Sequence, residues 1–75
     1  MTGAEAEQYM SSARTNANMH LQLELAAAAA IPMPAHALAV KRAHYNFCNR
    51  LAAAAEATQG IISPAFYDNS AKEYE

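Results

Sequence analysis

Seventy-five residues allow one domain at most, and a single cysteine rules out an internal disulfide. A formal charge of −2 at pH 7 argues against general nucleic-acid binding, which needs clustered basic residues to contact phosphates. One Cys and three scattered His give no CxxC or HxxxH pair, so no metal or other cofactor is expected.

The chain opens with TGAE, Thr2 to Glu5, the spacing of a capping box in which the Thr side chain and the Glu side chain each bond the other's backbone N–H. Glu5 and Glu7 suit the positive end of a helix dipole. Alanine, the best helix former, fills about a quarter of the chain, and Val, Ile and Thr are few, so the fold class is all-α. The first helix is expected over residues 3–30. IPMP then makes a turn at 31–34, because Ile31 precedes a proline and is pushed out of helical geometry. Pro34 fits the first position of a second helix, expected over residues 35–59, with Gly60 as its left-handed stop. Ser63-Pro64 repeats the cap-plus-proline signal, and residues 60–75 are expected to form a short C-terminal helix or tail.

Two long helices joined by four residues must fold back as an antiparallel hairpin. On the first helix Met10, Ala13, Ala17, Leu21, Leu25 and Ala28 share one side. Met19 and Leu23 point nearly opposite. On the second, Val40, Phe47, Leu51 and Ala54 form the main stripe, with Ala43 and His44 at its edges. Leu38, Tyr45 and Ala52 make a further apolar side. Helices apolar on two sides are buried on two sides. A chain this short buries little surface alone, and association is the reinforcement left once disulfides and metals are excluded. The expected state is a homo-oligomer, a four-helix-bundle-like dimer or larger. The alanine runs at 26–30 and 52–55 are out of register within one hairpin, so each is expected to meet a neighbouring subunit or a bulky residue such as Met10 or Tyr9.

The acidic start has no apolar stretch of a secretory signal. The apolar run from Leu25 to Val40 is too short and too interrupted to span a membrane. With one free cysteine, the expected place is the cytoplasm of the producing or host cell.

The densest chemistry lies in KRAHYNFCNR, Lys41 to Arg50. His44 and Cys48 are four apart and could share a helix face, as a thiolate nucleophile and its base would. A hairpin lacks the pocket and oxyanion donors such a pair needs, so Cys48 reads as a small hydrophobe and His44 as an edge of the core. Lys41, Arg42, Tyr45 and Asn49 fall together on the side away from the Val40–Phe47–Leu51 stripe. Arginine forks onto anionic oxygens, tyrosine offers a flat face, and asparagine both donates and accepts. The set suits either a protein surface or an anionic, nucleotide-like small molecule. In the tail, Phe66 and Tyr67 would plug the hairpin's open end with Ile61 and Ile62; alternatively Tyr67 and Tyr74, among acidic neighbours, would dock on a basic partner.

These features predict a non-enzymatic binding protein that occupies or blocks a partner protein's surface. Phage- and virus-encoded regulators and counter-defence proteins are often built at this scale. An oligomeric sponge for an anionic ligand and a structural assembly subunit are the alternatives.

Overall fold

The computed structural model describes residues 1–75, and every element in it is helical: α1 (Gly3–Ala28), α2 (Ala35–Glu56) and α3 (Ala65–Lys72). The capping box forms as its spacing dictates. Thr2 Oγ1 accepts from the Glu5 N–H at 3.1 Å, and Glu5 Oε1 accepts from the Thr2 N–H at 3.0 Å. The two hydrogen bonds that Thr2 provides, chiefly the backbone one, hold the Glu5 carboxyl below its ordinary pKa.

The helices stop earlier than expected, for local reasons. α1 ends at Ala28, not at residue 30. The amides of Ala30 and Ile31 turn back to the carbonyls of Ala27 and Ala28, tightening the chain ahead of Pro32. The Ala28 carbonyl also accepts from His36 Nδ1 at 2.7 Å. A carbonyl can only accept, so that nitrogen carries the proton. His36 thus ties the first turn of α2 to the last turn of α1. Pro34 sits at the N-cap, one residue before the helical position expected for it, and caps with no side-chain bond.

α2 ends at Glu56, not at residue 59, and Thr58 explains where the chain goes next. Its hydroxyl donates to the Ala55 carbonyl at 2.6 Å and accepts from the Ile62 N–H at 2.9 Å. Thr58 is fully buried. The turn that results places Gln59 at φ 59° and Gly60 at φ 90°, so the left-handed stop spans two residues. Only glycine adopts the second of these without strain. Ser63 Oγ then accepts from the Ala65 N–H at 3.2 Å as α3 begins.

The three helices lie abreast. Packed helix axes are 8–10 Å apart and a helix's Cα cylinder has a radius of about 2.3 Å, so three in a row span roughly 21–25 Å. The Cα envelope is 46 × 21 × 11 Å, three helices wide and about half as thick as it is wide. α2 is the middle element, packed on α1 along one flank and on α3 along the other. α1 and α3 are not backbone neighbours. The core joins Met10 and Ala17 of α1 to Leu51, Ala54 and Ala55 of α2, with Ala13, Phe47, Ile62 and Tyr67 packed against it.

The second apolar side of α2 is covered from within the chain only toward its C-terminal end: Ala52 is buried, Tyr45 is half-buried and Leu38 is 53% exposed. α3 lies there, and Cys48, Ala52 and Ala71 are all buried. Small side chains there let the two helices approach closely. The alanine runs divide accordingly. Ala52, Ala54 and Ala55 are buried, the latter two with Met10, whereas only Ala28 of the first run is. The plug at the hairpin's open end consists of Ile62 and Tyr67; Phe66 is 71% exposed and Ile61 is exposed too.

Replacing Thr58 by Val keeps the shape but leaves the buried Ile62 N–H without its acceptor. Such a loss costs about 1–3 kcal/mol, which a urea titration of Thr58→Val against the parent will read.

Candidate functional site

Helical spacing distributes the Lys41–Arg50 cluster around α2. Ala43 is buried between α2 and α1. Asn46 and Arg50 also turn toward α1, where both meet Glu24. Arg50 Nη2 donates to Glu24 Oε1 at 3.3 Å and Asn46 Nδ2 donates to the same oxygen at 3.5 Å. Both charged side chains remain about one-third exposed, so the pair adds little stability. Its other atoms, Glu24 Oε2 and Arg50 Nη1, are covered without a partner.

His44 and Cys48 do not form a nucleophile and its base. His44 Nδ1 donates to the Val40 carbonyl at 3.0 Å, one turn back in its own helix. Its ring stacks on Tyr74, with centroids 5.4 Å apart and planes 20° from parallel. Cys48 is buried, and burial first, then the negative charge of Glu73, push its thiol above the ordinary value of 9.0. Both effects oppose thiolate formation. No three His, Cys, Asp or Glu side chains converge as metal ligands.

Lys41, Arg42 and Asn49 are exposed and Tyr45 is half-buried. The chain's ion pair joins Arg50 to Glu24, and neither Lys41 nor Arg42 has an acidic partner. Arg42 lines a hollow of about 250 Å³ with Glu24, Ile31 and Asn46. Asn49 lines a different one, of about 360 Å³, with Asn46, Arg50 and Ala53. The two hollows are separate, and Lys41 and Tyr45 line neither.

Tyr67 and Tyr74 lie elsewhere. Tyr67 packs on the core and meets Phe66 edge to face, centroids 5.3 Å apart. Tyr74 is held by His44. Residues 42 and 44 are 200° apart around a helix, so the His44–Tyr74 stack lies on the opposite side of the layer from Arg42. The six residues expected to recognise a partner are thus divided between two faces.

The largest depression, about 540 Å³, runs between α1 and α2 and is lined by Tyr9, Ala13, Asn16, Arg50, Ala53 and neighbouring small residues. Sequence reasoning missed it. The available signal was Ala13 and Ala17, four apart on α1, opposite the alanine run of α2. No helix is long and apolar enough to cross a membrane. Comparison of the chain with protein-family models, with known proteins and with solved structures gives no match.

The raised Cys48 pKa gives a signed expectation. The folded state holds the thiol proton more tightly than the unfolded chain does. That contribution is complete at neutral pH and is lost as pH rises through the folded pKa, above 9.0. Denaturation midpoints measured from pH 7 to 10.5 should fall less in Cys48→Ala than in the parent. At pH 8, iodoacetamide should label the folded chain at least about tenfold more slowly than the urea-unfolded one.

Proposed function

We propose that the protein acts by stoichiometric binding to a partner protein, as a homo-oligomeric helical module, and that Lys41, Arg42, Tyr45 and Asn49 form the contact face. The observation that carries this reading is the pair of unpaired cations, Lys41 and Arg42, beside a half-buried tyrosine. Cations held beside an aromatic edge, free of internal partners, suit an acidic protein surface. Arginine and tyrosine are among the residues that most often dominate such contacts. Shallow hollows at Arg42 and Asn49 fit side chains of a partner, and binding of this kind blocks the surface it covers. Regulators and counter-defence proteins work in that way.

A second reading, a sponge for an anionic small molecule, draws support from the hollow that Arg42 lines. The two readings separate at one residue. Affinity capture from the source cell is expected to recover one protein at near-equal stoichiometry. Arg42→Glu, at an exposed position, is expected to cut that recovery at least about tenfold, since a reversed charge repels an acidic surface. Recovery that is unchanged in both Arg42→Glu and Tyr45→Ala would exclude this face. A rise in melting temperature with a nucleotide panel, abolished by Arg42→Ala, would favour the sponge.

A further inference from the structure

An exposed stripe of α1 carries Tyr9, Ser12, Asn16, Met19, Leu23 and Ala26 at alternating steps of three and four residues; Tyr9, Ser12 and Asn16 stand at the rim of the α1–α2 depression. Those steps are the spacing of a coiled-coil seam. All six are exposed, with Tyr9 at 43%, Met19 at 54% and Leu23 at 63%. The positions beside the stripe are Gln8, Thr15 and Gln22 on one side and Ala13, His20 and Ala27 on the other, none of them an acid, a lysine or an arginine. Between Gln8 and Ala30 the charges of α1 are Arg14 and Glu24, neither of which lies on this stripe, and Glu24 is turned to Arg50. A helix face meant for water is normally rich in charge.

The order of side chains along the stripe selects the occupant. Run antiparallel against itself about a twofold axis between residues 17 and 18, the stripe sets Tyr9 of one copy opposite Ala26 of the other, Ser12 opposite Leu23, and Asn16 opposite Met19. Every layer then joins a large side chain to a smaller one. A parallel, in-register pair would instead stack Tyr9 on Tyr9 and Leu23 on Leu23, with Ser12 on Ser12 between them, so bulky and empty layers would alternate. A surface that complements itself under a twofold is what an isologous dimer requires. A hole for Met19, which faces Asn16, already exists. Ser11, Ser12, Thr15, Asn16 and Met19 line a hollow of about 340 Å³ on this stripe. Ser12, Thr15, Asn16 and Met19 are the four-residue set, spaced 3, 4 and 7, that receives a knob.

We infer that two copies of the chain pair antiparallel along this α1 stripe, with Met19 of each seated in the Ser12–Met19 hollow of the other and Leu23 of each against Ser12. The inference rests on the homo-oligomeric part of the proposed function and assigns its interface. From Tyr9 to Ala26 the seam is about 25 Å long.

Native mass spectrometry and sedimentation of the full chain test it. The parent is expected at twice the 8.1 kDa chain mass. Leu23→Glu should weaken dimerisation roughly a hundredfold, about tenfold for each leucine withdrawn from the seam. Its circular dichroism should match the parent, because residue 23 is exposed in the single chain. In a Cys48→Ser background, Ser12→Cys with Leu23→Cys should cross-link rapidly to a covalent dimer under mild oxidation, and neither single change should. The two positions are about 16 Å apart along one helix, too far for a bridge within a chain. A dimer indifferent to Leu23→Glu, or one that Leu23→Cys alone cross-links, overturns the seam and leaves self-association standing. A folded monomer at 100 µM overturns both, and if Leu23→Glu then abolishes partner capture, the stripe belongs to a different protein.

Discussion

The arrangement depends on α2 serving as a wall with two working flanks. A helix in a two-layer fold needs one apolar stripe, and the remainder of its surface is free for solvent. α2 must accept α1 on one flank and α3 on the other, so small side chains occur on both: Ala43 and Ala54 toward α1, Cys48 and Ala52 toward α3. Leu51 and Phe47, near the boundary between the flanks, supply most of the bulk. With the lateral directions taken, only the two broad faces of the layer remain available to polar chemistry. This is why Arg42 and Asn49 are exposed together and why His44 emerges on the opposite side.

The connections are held by side chains that recruit backbone groups. His36 accepts none of the usual roles for its residue type. Half-buried, it satisfies the carbonyl at which α1 ends. Thr58 does comparable work at the other end of α2, bonding a carbonyl of the last turn and an amide of the following segment from a fully buried position. The layer is therefore stitched at the 31–34 turn and at the 57–64 turn by one polar side chain each. In both places the helix ends sooner than propensity alone would bring it to a close.

The helical class, the hairpin turn and the capping box were legible because each rests on contacts within a few residues. Pro32 and Pro34 break a helix wherever they occur, and Thr2 and Glu5 need only each other. The α1 stripe was legible too, since Met10, Ala17, Leu21 and Ala28 bury as their spacing requires. What the pattern could not convey was the identity of the covering element. The apolar side of α2 holding Tyr45 and Ala52 looks the same whether a subunit or α3 lies on it, and α3 is short and half polar. The Glu24–Arg50 pair was hidden for a related reason: 26 residues separate its members, and only the hairpin register brings them together. For the candidate face, spacing grouped Lys41, Arg42, Tyr45 and Asn49 but could not show that Tyr67 and Tyr74 would be drawn into internal contacts with the core and with His44.

The small buried fraction also bears on how stability responds to temperature. Folded monomers of this mass expose on the order of 4,500 Å², and this chain exposes 4836 Å², with 13 of its 75 residues buried. The heat capacity of unfolding scales with apolar area newly hydrated, so a chain of this size has little to release and its stability curve is correspondingly shallow. Cooling such a chain gains it little, whereas covering one of its exposed flanks enlarges both the height and the curvature of that dome.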